Sequence, residues 1–317
     1  MTEPIGVLVM AYGGPASLDE IPGYLADIRS GRPTPSSVIE EITDHYRRIG
    51  GRSPVLEISR RQARALEARL GAGSFRCRVG MRHWAPWIED EVGRMAADGI
   101  RRVVGIVLAP HYSVMNTERY FRKVEDGVRL FRAPIEVAFV KSYHDSPPLI
   151  EALARRVEEG LSRWPAEKRE QVHVVFSAHS LPARTLKEGD PYDAQLRETA
   201  ALVARSAGLP EERWSWSYQS AGKSPEPWLG PQLEEHIPAL AQRGIRDIVC
   251  VPVGFVSDHV EILYDIDLEA QEAARASGVR LERPPALNDD PLFIQALAGA
   301  VRSSAAGAGW TQDRATA

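Results

Sequence analysis

The feature that most constrains this chain is an internal echo. Gly99-Ile100-Arg101-Arg102-Val103-Val104 returns as Gly244-Ile245-Arg246-Asp247-Ile248-Val249. Upstream, Ala85-Pro86-Trp87-Ile88 resembles Glu226-Pro227-Trp228-Leu229, and Leu8-Val9-Met10-Ala11-Tyr12-Gly13 corresponds to Val174-Val175-Phe176-Ser177-Ala178-His179. Downstream of the echo, Pro110-His111-Tyr112-Ser113 matches Pro252 through Ser257-Asp258-His259. Repeats in the same order point to two similar lobes related by duplication. A length of 317 residues, above the usual size of a single core, points the same way.

The fold class follows from the spacing of the apolar runs. Short β-branched runs alternate with longer amphipathic stretches, the pattern of parallel βαβ units in an α/β protein. Strands are expected at residues 6–10, 75–79, 102–108 and 135–140, and again at 172–176, 214–218, 247–253 and 279–283. Helices are expected at 59–70, 147–161, 193–207 and 260–276. The expected division is one lobe over 1–145, a second over 146–290, a helix over 291–302 packing back on the first lobe, and a flexible tail over 303–317. Lobes of this kind bind ligand in a cleft at the carboxyl ends of their strands. No Gly-x-Gly-x-x-Gly or Walker-type loop follows a strand, which disfavours a nucleotide cofactor. A net charge of −4 argues against nucleic acid or an anionic membrane as the main partner. No apolar run is long enough to span a bilayer, and the N-terminal residues lack the basic segment of a signal peptide. Cys77 and Cys250 sit in separate apolar runs and read as buried thiols of a reducing cytoplasm.

Three residues carry the chemical interest. His179 stands at a strand end among small neighbours, Ser177-Ala178-His179-Ser180-Leu181-Pro182. Such a histidine is either a structural hydrogen-bonding residue or a ligand. Glu261 opens a helix, where the macrodipole favours an acid in any case. Asp265, Glu269 and Glu272 follow it on one expected helical face, either a solvated stripe or a route for a cation. An imidazole and a carboxylate meeting in a cleft would suit a divalent metal. Tyr12 ends the first strand before Gly13-Gly14, covering a tight turn or presenting its phenol to a ligand. The basic loops around Arg29 and around Tyr46-Arg47-Arg48 are either solvated or placed to bind carboxylates.

Taken together, these motifs resemble the ferrochelatases over roughly residues 5 to 302. The match is carried by Ser177–Pro182, Gly189-Asp190-Pro191-Tyr192, Tyr218-Gln219-Ser220, Pro227-Trp228-Leu229-Gly230-Pro231 and Gly254–Glu261. The resemblance implies two Rossmann-like, chelatase-type lobes with parallel sheets and an inter-lobe cleft holding a porphyrin, into which ferrous iron is inserted. Ala11-Tyr12-Gly13 is similar to the forms that act on coproporphyrin III and yield coproheme. By the same resemblance His179 and Glu261 bind Fe²⁺ or take the pyrrole protons, and Tyr12 lies on the opposite macrocycle face. Arg29, His45, Tyr46, Ser53 and Tyr120 would contact the porphyrin and its propionates. Ser30 stands where some relatives have a second arginine, and His45 where some have an arginine. The resemblance further implies a cytoplasmic monomer with no permanently bound cofactor and no iron–sulfur cluster. It also implies transient docking to a coproheme decarboxylase. The rival readings are a protoporphyrin IX ferrochelatase, a cobalt or nickel tetrapyrrole chelatase, and a non-catalytic carrier of haem or metal.

Overall fold

The computed structural model describes residues 3–222 and 224–310. The chain divides into two compact units, one running to Tyr143 and resuming at Asp289, the other comprising His144–Asn288. The first unit contains β1 (Ile5–Ala11), α1 (Ile21–Ile28), α2 (Ser36–Arg48), α3 (Val55–Leu70), β2 (Phe75–Met81), α4 (Ile88–Ala97), β3 (Arg102–Val107), α5 (Thr117–Leu130) and β4 (Glu136–Val140). The second contains α6 (Pro147–Leu161), β5 (His173–His179), α7 (Arg184–Lys187), α8 (Tyr192–Ser206), β6 (Trp214–Gln219), α9 (Leu233–Gln242), β7 (Asp247–Val251), α10 (Val260–Leu263), α11 (Gln271–Ala276) and β8 (Arg280–Glu282). A last helix, α12 (Pro291–Gly307), returns to the first unit.

Each unit is built on one four-stranded parallel sheet, ordered β2-β1-β3-β4 in the first and β6-β5-β7-β8 in the second. Helices cover both faces of such sheets, so central strands are buried on both sides and read as unbroken apolar runs. Every residue of β1 is buried, and β5 is buried up to His179. The strand registers are equivalent. Gly6 lies opposite Val103 and His173 opposite Ile248; Ala11 pairs with Met81 as Ala178 pairs with Tyr218. The residues after Ala11 and Ala178, namely Tyr12 and His179, therefore occupy the same position in the two sheets.

The echo in the sequence has a plain structural cause. Gly99 and Gly244 take φ of 83° and 91°, a left-handed turn that glycine adopts without a Cβ clash. The next amides, Ile100 and Ile245, donate back to Met95 and Leu240 at 3.0 and 3.1 Å. Arg101 and Arg246 then fold their guanidinium groups onto the ends of α4 and α9, donating to Ala96 and Ala241 carbonyls at 3.4 and 2.5 Å. The cations thus add a second bond to helix-end carbonyls that already accept from the Gly99 and Gly244 amides at 3.1 and 3.0 Å, and sit favourably at the negative end of the helix dipole.

The structure shifts two parts of the repeat. The strand register moves the likeness of the first strands by one residue, so that Tyr12 and not Gly13 stands at the position of His179. The second shift concerns the Pro-Trp pair. Met81 donates to Pro86 at 2.6 Å and Tyr218 donates to Pro231 at 2.7 Å, both prolines following cis peptide bonds. Trp87 bridges Met81 where Gln232 bridges Tyr218, and α4 and α9 begin on the next residue. The counterpart of Pro86 is therefore Pro231, and the likeness to Pro227-Trp228 is one of composition only. A longer loop between β6 and α9 hosts that second Pro-Trp, with Pro227 accepting from Ala183 at 2.8 Å.

Two helices also differ from expectation. The stretch 260–276 is split by a π-helical turn, Asp265–Ala270, in which Glu269 donates to Tyr264 five residues back at 3.0 Å. Helix α12 runs through Gly307, with Ala305 buried, so residues 303–307 belong to the helix and not to a tail; residues 311–317 lie outside the described region. α12 packs on α3, β3 and β4, as α6 packs on α8 and β7 in the second unit. Arg61–Asp289 at 3.2 Å, Arg69–Gln295 at 3.1 Å and Arg302 to the Arg69 carbonyl at 3.0 Å border that contact. Cys77 and Cys250 are free thiols, both pushed up by burial, Cys250 to about 12. Among the described residues no helix is long and apolar enough to cross a membrane.

Candidate active site

His179 is the last residue of β5, which runs past the expected end at Phe176. The strand is carried that far by its neighbour: Ser180 donates to the Gln219 carbonyl at 2.8 Å, and Tyr192 Oη donates to the His179 carbonyl at 3.1 Å. On the other side Gly254 packs against the same strand so closely that a Cβ there would sit 2.5 Å from Ala178 Cβ. The loop leaving β7 is thereby pinned beside His179 before it turns into α10.

That loop delivers Glu261. His259 caps α10, its Nδ1 accepting from the Glu261 amide at 3.1 Å. A capping acceptor must be unprotonated at that nitrogen, and burial holds the His259 pKa down. His259 is thus a structural residue. In the first turn of the helix, Glu261 Oε2 lies 3.1 Å from His179 Nδ1. The approach is off the ring N–H axis, so the contact is an ion pair and not a linear hydrogen bond. Each side chain keeps about a third of its exposure, 31% and 34%, leaving the pair open to a ligand.

The electrostatics distinguish the pair from ordinary surface charges. Burial opposes the His179 imidazolium, but Glu261 and then Asp265 outweigh it and push the pKa up. Burial likewise opposes ionised Glu261, yet His179 and His259 bring it down to about 2. Asp265 goes the other way: burial, Glu261 and Glu269 push it up to about 8, against a hydrogen bond from Ser220 and the charge of His179. One proton-rich imidazole therefore faces one firm carboxylate, with a reluctant acid a turn behind. Glu272, expected on the same stripe, is exposed. The π turn inserts an extra residue, rotating the later part of the helix by roughly 100° about its axis. Arg283 holds that turn in place, forking onto Asp267 at 2.6 Å through two nitrogens and reaching Asp258 at 2.9 Å.

In the first unit the corresponding strand end presents Tyr12, which is 38% exposed. Its ring lies 4.6 Å from that of His83, whose Nδ1 is 2.7 Å from Asp27. Burial pushes His83 down to about 4, with the Asp27 hydrogen bond opposing and Arg82 and Lys123 contributing. Arg82 spans the Tyr12 and Tyr120 rings at 5.8 and 5.2 Å and donates to Asn116 at 3.1 Å. Tyr120 and Tyr46 are both buried, Tyr46 edge-on to Tyr24, so neither ring is freely presented. Ser53 packs directly on Gly14 and donates its amide to Pro15 at 2.8 Å. Arg29 is exposed at the end of α1, and His45 lies on α2 with Nε2 3.9 Å from Glu41. Tyr12, Tyr120 and Arg82 are brought together; Tyr46 and Ser53 form a second group at Gly14; Arg29 ends α1 and His45 lies on α2, which packs against α1.

Sequence reasoning missed Arg82, the His83–Asp27 pair and the role of Gln219. Only the last had a signal, its place directly after Tyr218 at a strand end. Among the described residues no group of three or more His, Cys, Asp or Glu side chains is arranged to hold a metal ion. His179 and Glu261 offer a divalent cation two ligands of borderline and hard character, a set that binds without enclosing.

Sequence comparisons with known proteins point to one family. The ferrochelatase family model matches residues 4–305. A protein of Deinococcus radiodurans named ferrochelatase is 53% identical over 306 residues, covering 96% of this chain and 97% of that protein. A Geobacillus kaustophilus protein named coproporphyrin III ferrochelatase is 41% identical over 301 residues, covering 93% and 94%. Among solved structures, SirB from Bacillus subtilis with Fe³⁺ superposes with a TM-score of 0.59 at 12% identity, covering 97% of this chain and 98% of that one. That likeness concerns the fold, two parallel α/β units of chelatase type.

Proposed function

The chain belongs to the ferrochelatase family, enzymes that insert ferrous iron into a porphyrin, and from that premise we propose that its porphyrin is coproporphyrin III and its product coproheme. The observation that carries the specificity is Tyr12, exposed at the end of β1 in the position His179 holds in the second sheet. The named activity of the Geobacillus kaustophilus relative supports the same reading.

His179 and Glu261 are the catalytic residues of this reading. Insertion must remove two pyrrole N–H protons and strip water from the cation. In the resting site Glu261 is ionised and favours the protonated form of the His179 imidazole beside it. An entering Fe²⁺ takes the carboxylate and displaces the imidazole proton to water. When iron passes to the ring nitrogens, the freed imidazole accepts one pyrrole proton and the pair is restored; Glu261 relays the second to solvent. The partial exposure of both side chains serves the release. With no third such ligand clustered beside them among the described residues, the cation stays transferable.

Protoporphyrin IX is the rival substrate, since the Deinococcus radiodurans relative is named without a porphyrin. The test is anaerobic insertion of Fe²⁺ into coproporphyrin III and protoporphyrin IX in parallel, followed by absorbance. The expected result is a kcat/KM at least tenfold higher for coproporphyrin III. Equal or inverted values would overturn the specificity, and tight binding without conversion of either would make the protein a carrier.

A further inference from the structure

Gln219 is wholly buried and uses both ends of its amide. Its Oε1 accepts from Ser177 Oγ at 2.9 Å, and its Nε2 donates to the Glu261 carbonyl at 2.7 Å. A carbonyl can only accept, so the amide orientation is fixed by its partners. Cys250 Sγ lies 3.7 Å from Ser177 Oγ and completes the row. Thiol to hydroxyl, hydroxyl to amide oxygen and amide nitrogen to carbonyl can all donate in one direction, so no buried polar atom of the row competes for a proton.

The two ends of this row are what give it meaning. Ser177 stands two residues before His179 on β5, and the row finishes on the main chain of Glu261. Glu261 is thus held at both backbone polar groups, its amide by His259 and its carbonyl by Gln219. The following residue, Ser220, takes a left-handed φ of 59° and donates its hydroxyl to Asp265, the next acid along the helix. The first unit uses the same place differently. Arg82 follows Met81 as Gln219 follows Tyr218, and it reaches Asn116, the residue that precedes α5. Both units tie the end of one strand to the start of the helix after another, but only the second ends the tie on an acid facing a histidine.

We propose that Gln219 is a positioning residue for iron insertion, setting the Glu261 carboxylate against His179 through the Ser177–Gln219–Glu261 bridge. This rests on the reading of His179 and Glu261 as the metal-handling pair. Methionine matches glutamine in length and offers neither end of the bridge, so Gln219→Met is the direct test. Anaerobic Fe²⁺ insertion into coproporphyrin III should show kcat lower by about 10- to 100-fold, with KM for Fe²⁺ raised and KM for the porphyrin unchanged. Ser177→Ala removes one hydroxyl from the far anchor and should show the same split at smaller size; if Gln219→Met does not fold, it decides alone. A folded variant with kcat and Fe²⁺ KM within twofold of wild type overturns the proposal, as does a loss shared equally by porphyrin affinity. His179→Ala measured alongside separates the two readings. A loss there without one in Gln219→Met sinks the positioning role alone, whereas wild-type rates in His179→Ala sink the pair and the positioning role with it.

Discussion

In the first unit the central strand hands over to Tyr12; in the second the register-equivalent residue is His179. Up to that point the units share strand order, pairing register, helix-ending glycines and even the arginine that closes each of those helix ends. Beyond it they part. Each holds an imidazole close to that strand end, yet burial drives His83 down to about 4 beside Arg82, while Glu261 and Asp265 overcome burial and push His179 up. Backbone requirements fixed the frame in both copies, whereas a handful of strand-end side chains decided which copy became electrostatically poised.

The comparison can be broken most severely at its own hinge point. His179→Ala should lower iron insertion by about a hundredfold or more while porphyrin titration stays normal. Tyr12→Ala, at the equivalent position, should weaken porphyrin binding and leave insertion measurable. Equal collapse of both would show that the units do not divide the work. Glu261→Gln comes next in size. Insertion should rise with pH as His179 loses its proton, and removing the Glu261 charge should move that rise to lower pH because the charge is what pushes His179 up. A pH–rate profile whose acid limb stays in place would detach Glu261 from the proton balance.

Stability offers a finer test. Asp265 is pushed from 3.8 up to about 8, so the folded protein keeps a proton that the unfolded chain has already released. Its contribution to stability therefore falls as pH rises through that window and levels off above it. Asp265→Asn should gain a few degrees of melting temperature over wild type between pH 5 and about 8, with little difference near pH 4; a constant difference across that range would contradict the assignment. The smallest effect concerns the shared frame. Arg101→Ala and Arg246→Ala should each cost about 1 kcal/mol in denaturant unfolding, because each removes the same two bonds, one to a helix-end carbonyl and one to the preceding isoleucine carbonyl. Costs that differ severalfold would mean the likeness is one of shape only.

The central strands were legible because parallel strands buried on both faces leave continuous apolar runs such as Ile5–Ala11 and Asp247–Val251, while the half-exposed edge strands were found from their spacing between helices. The meeting of His179 and Glu261 was legible too, since His179 ends β5 and Glu261 opens the helix that follows the neighbouring strand β7. The π turn was not, because one extra backbone residue over Asp265–Ala270 leaves the spacing of Ile262, Ile266 and Ala270 looking like an ordinary helix. The Pro-Trp likeness misled for a related reason: two residues shared by chance outweighed a loop insertion that only pairing could reveal. The His83–Asp27 contact joins residues 56 apart, and the place of Gln219 at a strand end signals a site residue without revealing the two partners that give it a role.

The return of α12 to the first unit has a consequence for how the protein comes into being. The helix that covers β3 and β4 emerges from the ribosome only after the whole of His144–Asn288. At synthesis rates of about 5–20 residues per second, that is a wait of roughly ten to thirty seconds. During that interval the second unit can finish folding, while the first must stand with an apolar flank uncovered. The earlier-made half of this enzyme is thus the later one to be completed, and its uncovered flank is the surface most exposed to misassociation during synthesis.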